Sequence, residues 1–197
     1  MRCATVVVAA IGLAACGSAA ASSPVLSADP LRYVLTLNDL GSSGFTVADA
    51  PHAVDANAIA AGSEAAAQRL GGDGLQAAAS VRFFRAVELS TSNGPVDVIH
   101  TVERFSQASG ASASYASDVA VLDSASGATP LSAGHVGDEA HADSIVRTTT
   151  SGVPAVQITL EWRVDNVVNV LVVRGRYGGT RLDDALNLAA HVVAREH

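Results

Sequence analysis

Hydrophobic residues alternate most cleanly over Ala155–Val164. Val156, Ile158, Leu160, Trp162 and Val164 share one face, and Gln157, Thr159, Glu161 and Arg163 share the other. A period of two predicts a strand, here with one side in the core and one in water. Asp165-Asn166 follows, two residues that tolerate left-handed backbone, and predicts a two-residue hairpin turn. Val167–Val173 is apolar except at Asn169, the pattern of a central strand covered on both faces. Upstream, Ala78–Leu89 puts Val81, Phe83, Arg85, Val87 and Leu89 on one face and Phe84 on the other. The turn Ser92-Asn93-Gly94-Pro95 leads to its partner strand, Val96–Phe105. Ser144–Thr150 is the fifth strand, paired with Ala155–Val164 around Gly152-Val153-Pro154.

Helical spacing occupies three other stretches. Ala-rich Asp55–Leu70 ends at Gly71-Gly72. Ser106–Leu122 aligns Ala108, Ala111, Tyr115, Val119 and Leu122. The last helix starts from a Thr180 cap, with Asp183 completing a capping box, and carries the stripe Leu182, Ala185, Leu186, Ala189, Val192 and Val193. Leu31–Leu37 reads as a short strand or a helical turn, and Asp123 to about Ala142 as a Gly/Ser/Ala-rich loop. Short hairpins force antiparallel pairing. The class is therefore α+β: a curved antiparallel sheet of about five strands with about three packed helices, in one domain spanning 31–197.

The first residues carry a different pattern. Arg2 precedes the apolar run Ala4–Leu13, which is too short for the ~20 residues of a bilayer span and suits a signal sequence. Leu13-Ala14-Ala15-Cys16 resembles the bacterial lipobox at every position. Small side chains at Ala14 and Ala15 admit an extended chain to a peptidase cleft, and the Cys16 thiol can carry a thioether-linked diacylglycerol. The resemblance implies a signal peptide over 1–15, lipidation at Cys16 and a lipid-anchored protein on the outer face of the cell membrane. Two acyl chains hold stably where one does not. Residues 16–30, rich in Ser and Ala and broken by Pro24 and Pro30, read as a flexible tether.

Composition narrows the function classes. Cys3 leaves with the signal and lipid consumes Cys16, so the domain has neither disulfide nor free thiol. All twelve basic residues are Arg, which excludes Schiff-base and P-loop lysine chemistry. The net charge of −7 becomes one unit more negative when Arg2 is removed. Such a domain is repelled by phosphate backbones, so nucleic acid is no expected partner.

Two clusters are candidates for chemistry. In Gly134–Asp143, the side chains of His135, Asp138, Glu139 and His141 could hold a divalent metal and support a metal-dependent hydrolase. The six-residue separation of the histidines fits neither a helical nor a strand pair, and the alternative is a solvated loop. Arg174, Arg176 and Arg181 surround Tyr177-Gly178-Gly179 at the start of the last helix and could hold an anion, or balance Asp183 and Asp184. His100 lies on the face of Val96, Val98 and Val102, as a hydrogen-bonded core histidine or a buried base. No cofactor is indicated.

Gly137-Asp138-Glu139-Ala140, the alternating strand and the hairpin Val164-Asp165-Asn166-Val167-Val168 resemble a pattern of envelope lipoproteins and sensor domains in high-GC Gram-positive bacteria. The resemblance covers about residues 80–195. It is similar to the extracellular sensor domains of mycobacterial membrane kinases and to PsbP-like mycobacterial lipoproteins. It implies a non-enzymatic binding or sensing module and transfers no functional residue. The expected partners are the membrane, through the anchor, and a small ligand or envelope protein, with a groove between sheet and helices as the place for a ligand. The alternatives are the metal-dependent hydrolase and a structural envelope protein.

Overall fold

The computed structural model describes residues 25–41 and 44–196. The expected signal peptide, Cys16 and most of the expected tether lie outside them. Among the described residues, one sheet of seven antiparallel strands has the order β1-β2-β3-β7-β6-β5-β4. The strands are β1 (Phe45–Val54), β2 (Leu75–Arg85), β3 (Asp97–Phe105), β4 (Ala128–Leu131), β5 (Glu139–Thr148), β6 (Pro154–Val164) and β7 (Val167–Arg176). The α-helices are α1 (Ala56–Ile59), α2 (Glu64–Gly72), α3 (Ala108–Ser124) and α4 (Leu182–Glu196).

The α+β class stands, with seven strands in place of five and an extra single-turn helix. The two added strands are the sheet's edges. β1 is exposed at nearly every position, so it has no apolar face to announce it. β4 is four residues long and lies within the stretch expected to be a loop. The expected helix over Asp55–Leu70 breaks in two. Ala61 and Gly62 have φ of 48° and 85°, and Ser63 starts the second helix by accepting the Ala66 N–H. Leu31–Leu37 supplies two 3-10 turns, Pro30–Arg32 and the start of Leu37–Asp39. β2 ends at Arg85, so Ser92–Pro95 belongs to a longer connection containing a 3-10 turn at Leu89–Thr91.

Two meanders build the sheet. β1, β2 and β3 run from one edge to the centre; α3 then carries the chain across to the opposite edge. From there β4, β5, β6 and β7 return, and β7 closes on β3 with Thr101 opposite Val170. The β6–β7 turn is the expected one: Val164 pairs with Val167, and Asp165 has φ of 50°.

Helices cover both faces. On the first, Val81, Phe83, Val98, Val102, Leu160, Trp162 and Leu171 pack against Ala185, Leu188, Ala189 and Val192 of α4. On the second, Phe105 and Val168 pack against Leu70 of α2 and Ala111 and Tyr115 of α3. The side of β6 expected in water is therefore covered, and Thr159 and Glu161 are buried. At the N-terminus of α4, Asp184, not Asp183, reaches back to the Arg181 N–H at 2.8 Å. The Thr180 hydroxyl donates to Gly94 O at 3.0 Å instead.

Ordered packing begins ahead of Leu31. Asn166, fully buried at the β6–β7 turn, accepts from Leu26 N–H at 2.8 Å and donates to Leu26 O and Phe105 O at 3.1 and 2.6 Å. Leu26, within the stretch expected to be tether, is thus held against the sheet.

Candidate functional site: an acid-floored cavity

β7 is apolar on the second face at Val168 and Val170, while β3 and β6 flank it there with Glu103 and Glu161. Glu103 stands opposite Val168 and Glu161 opposite Val170, so the two acids lie diagonally across one strand. Both side chains are almost wholly buried, 1% exposed each. Above them is a cavity of about 430 Å³, within the range of small-molecule sites. Val54 and α1 close one side, α2 a second and α3 a third. Ile59, Leu70, Val121 and Leu122 make its walls apolar, while Ser80, Thr101 and Thr159 add hydroxyls to its floor. At the side, Arg69 donates to Asp118 at 2.7 Å and to Ser114 O at 3.4 Å.

Among the described residues, neither acid is paired with a base. Oε2 of Glu103 and Oε1 of Glu161 are buried without a hydrogen-bond partner. Burial, reinforced by Asp118, pushes Glu103 up to about 8. Burial, reinforced by Asp118 and Glu103, pushes Glu161 up to about 9. Asp143, next to this floor on β5, is buried with an unpartnered Oδ2 and is likewise shifted upward by desolvation. At neutral pH the floor is thus a pair of uncharged carboxylic acids, each with one donor and spare acceptors.

The loop of His135, Asp138, Glu139 and His141 is arranged differently from a metal site. Asp138 and Glu139 both clasp Arg163, at 3.1 and 2.8 Å, and Asp138 also accepts the Asp165 N–H at 2.8 Å. His141 faces Asp123 at 3.4 Å, and His135 is exposed. Among the described residues, no three His, Cys, Asp or Glu side chains converge to ligate a metal. The acids fasten the β6–β7 hairpin to β5.

Two of the candidate anion-binding arginines are engaged within the fold. Arg174 donates to Gln157 at 2.9 Å and Asp97 at 3.1 Å, and Arg82 reaches the same Asp97. Arg176 donates to Ser92 O at 3.0 Å and Asn93 Oδ1 at 3.1 Å. Arg181 is exposed. His100 is a core histidine. It is fully buried, accepts the Leu35 N–H at 3.2 Å and stacks on Trp162 with ring centroids 5.7 Å apart. Desolvation brings its pKa down to about 3, so it stays neutral.

Sequence reasoning missed Glu103 and Glu161 as a pair, because alternation in β6 alone reads Glu161 as wet. The available signal was β7. If that strand is covered on both faces, the neighbouring side chains on those faces are covered too.

No protein-family model matches the chain, and no curated protein matches it. Among solved structures, the extracellular domain of PknH from Mycobacterium tuberculosis is similar. The TM-score is 0.58 over 83% of this chain and 92% of that one, at 14% identity. The likeness is one of fold, and it extends beyond the residues 80–195 that suggested a kinase-sensor-like domain. No helix among the described residues is long and apolar enough to cross a membrane.

Proposed function

We propose that this chain is a lipid-anchored, extracytoplasmic binding or sensing module that takes a small ligand into the cavity between its sheet and α1–α3. One observation carries the reading. Glu103 and Glu161 are buried at the cavity floor with unpartnered oxygens, an arrangement that costs stability and gives the fold nothing in return. Buried polar groups left unpaired beside an apolar cavity are the usual mark of a ligand's orienting contacts. The fold shared with the extracellular domain of PknH and the lipobox-like sequence at Cys16 support the compartment.

Binding suits the site better than catalysis. Acid–base pairs work by having their pKa values driven apart, so that one group donates and the other accepts. Here both values move upward together, and both groups enter the neutral range protonated.

The test is native mass spectrometry of the protein extracted from its own membranes. The wild type is expected to begin at a diacylglyceryl Cys16 and to carry a small molecule. Ala66→Phe, which projects a ring from α2 into the cavity, is expected to keep the acylated terminus and lose the passenger. A bare terminus overturns the anchor. A wild type without passenger, or a variant that keeps it, overturns the cavity as the site.

A further inference from the structure

We infer that the cavity's ligand is a small organic cation, an amine with an apolar body, whose ammonium group sits between the carboxyl groups of Glu103 and Glu161. The inference rests on the cavity being the binding site, and it adds the chemistry of the occupant.

The charges around the cavity argue for that class. Three acids line it: Glu103 from β3, Glu161 from β6 and Asp118 from α3. Among the described residues, the single cation in the lining is Arg69 of α2, and both Asp118 and Ser114 O already hold it. Around the floor stand Asp143 on β5 and Tyr115 on α3, with His141 and Asp123 beside Asp143. An anionic ligand would find no unengaged cation in the lining to pair with, in a poorly screened space. A neutral alcohol brings one donor and a primary amide two, fewer than the acceptor oxygens of the two acids can use. An ammonium group brings three donors and no acceptor, the complement of what Glu103 Oε2 and Glu161 Oε1 lack. Val54, Ile59, Leu70, Val121, Leu122 and Val170 supply apolar surface for the rest of the molecule.

A proton balance follows. Desolvation holds the free acids in the COOH form, and a bound cation favours the carboxylate. On binding, an O–H bond of one glutamic acid breaks, the proton passes to buffer, and the carboxylate left behind pairs with the ammonium, which keeps its own protons. The acids are thus stored uncharged in the empty site and ionise when filled.

Calorimetric titration of the full chain with three probes of one shape tests this: cyclohexylamine, cyclohexanol and cyclohexanecarboxylate. Cyclohexylamine is expected to bind best, with affinity rising about tenfold or more between pH 6 and pH 8.5. Runs at pH 7 in buffers of different ionisation enthalpy should show net release of a proton. Glu161→Gln and Glu103→Gln, nearly isosteric, are each expected to weaken the amine about tenfold while leaving cyclohexanol unchanged. Cyclohexanol or the carboxylate binding as well as the amine, or amine binding without proton release, overturns the cation and leaves the cavity reading standing. Binding of none of the three also overturns it, and the native mass spectrum of the Ala66→Phe protein then judges the cavity by itself.

Discussion

At the scale of the residue, the most consequential side chains are acids kept neutral and a histidine kept neutral. They pull stability in opposite directions with pH. Glu103 and Glu161 have folded pKa values above the ordinary 4.5, so the native state holds protons that the unfolded chain has lost. Their stabilisation is complete below about pH 4.5 and is lost as pH rises through about 8 and 9. Glu196, buried against Asn169 and raised to about 7, adds to the same slope. His100 does the reverse: its pKa of about 3 makes stability complete above pH 6.5 and lost as pH falls below it. Above pH 6.5 only the acids act, so melting temperature should fall steadily from there to pH 9. Glu161→Gln removes one of these acids while keeping a similar volume. In thermal melts followed by circular dichroism it should raise the melting temperature at pH 8.5 and flatten the fall. A fall as steep as that of the wild type would show that Glu161 is already ionised when folded. His100 was legible as a core residue from the apolar face it shares with Val98 and Val102. The paired acids were not, because their burial depends on α2 and α3, which pack onto the sheet from other parts of the chain.

At the scale of the element, the strands with one clear apolar face could be read directly, and so could the Asp165-Asn166 turn. β6 starts one residue early, at Pro154, and β7 runs three residues past Val173 to Arg176, but the two are in register and joined as the alternation requires. The edges could not. β1 contains Pro51 and faces water at almost every position, so its strand character comes only from its ladder with β2. The Ala-rich stretch after it looks like continuous helix, because alanine favours helix wherever it stands. Only Gly62-Ser63, a left-handed residue followed by an N-cap, marks the break. One contact between elements has a sharp consequence. Gly110, in the first turn of α3, lies against the carbonyl of Asp73, the residue capping α2, and a Cβ there would collide with that oxygen. Both helices form cavity walls. Gly110→Ala, a neutral or helpful change in an isolated helix, should therefore cost about 1–3 kcal/mol in urea unfolding, as backbone shifts relieve the overlap. An unchanged or higher midpoint would mean that α2 and α3 are not packed this closely.

At the scale of the whole molecule, the chain is a sheet with two dissimilar faces. One is packed by α4 into a continuous core around Trp162, with His100 stacked on it. The other is covered by a smaller cluster under α2 and α3, and beside that cluster the cover lifts off the sheet. The domain fills one face for stability and leaves room on the other. The described residues contain no cysteine and no cluster of metal-ligating side chains, so their stability rests on the packed face, and the second face can hold groups that weaken the fold. The fold class was readable from hairpins and periodicity. The asymmetry between faces was not, since it arises from which way α3 crosses between the meanders. The protonation of the two carboxyl groups where the cover lifts sets both the ligand chemistry and the pH dependence. Carbon-13 NMR titration of the Glu103 and Glu161 carboxyl carbons measures it directly. Both should remain protonated through pH 7 and titrate near 8 and 9 in the empty protein. Carboxyl shifts showing both groups ionised by pH 6 would contradict it.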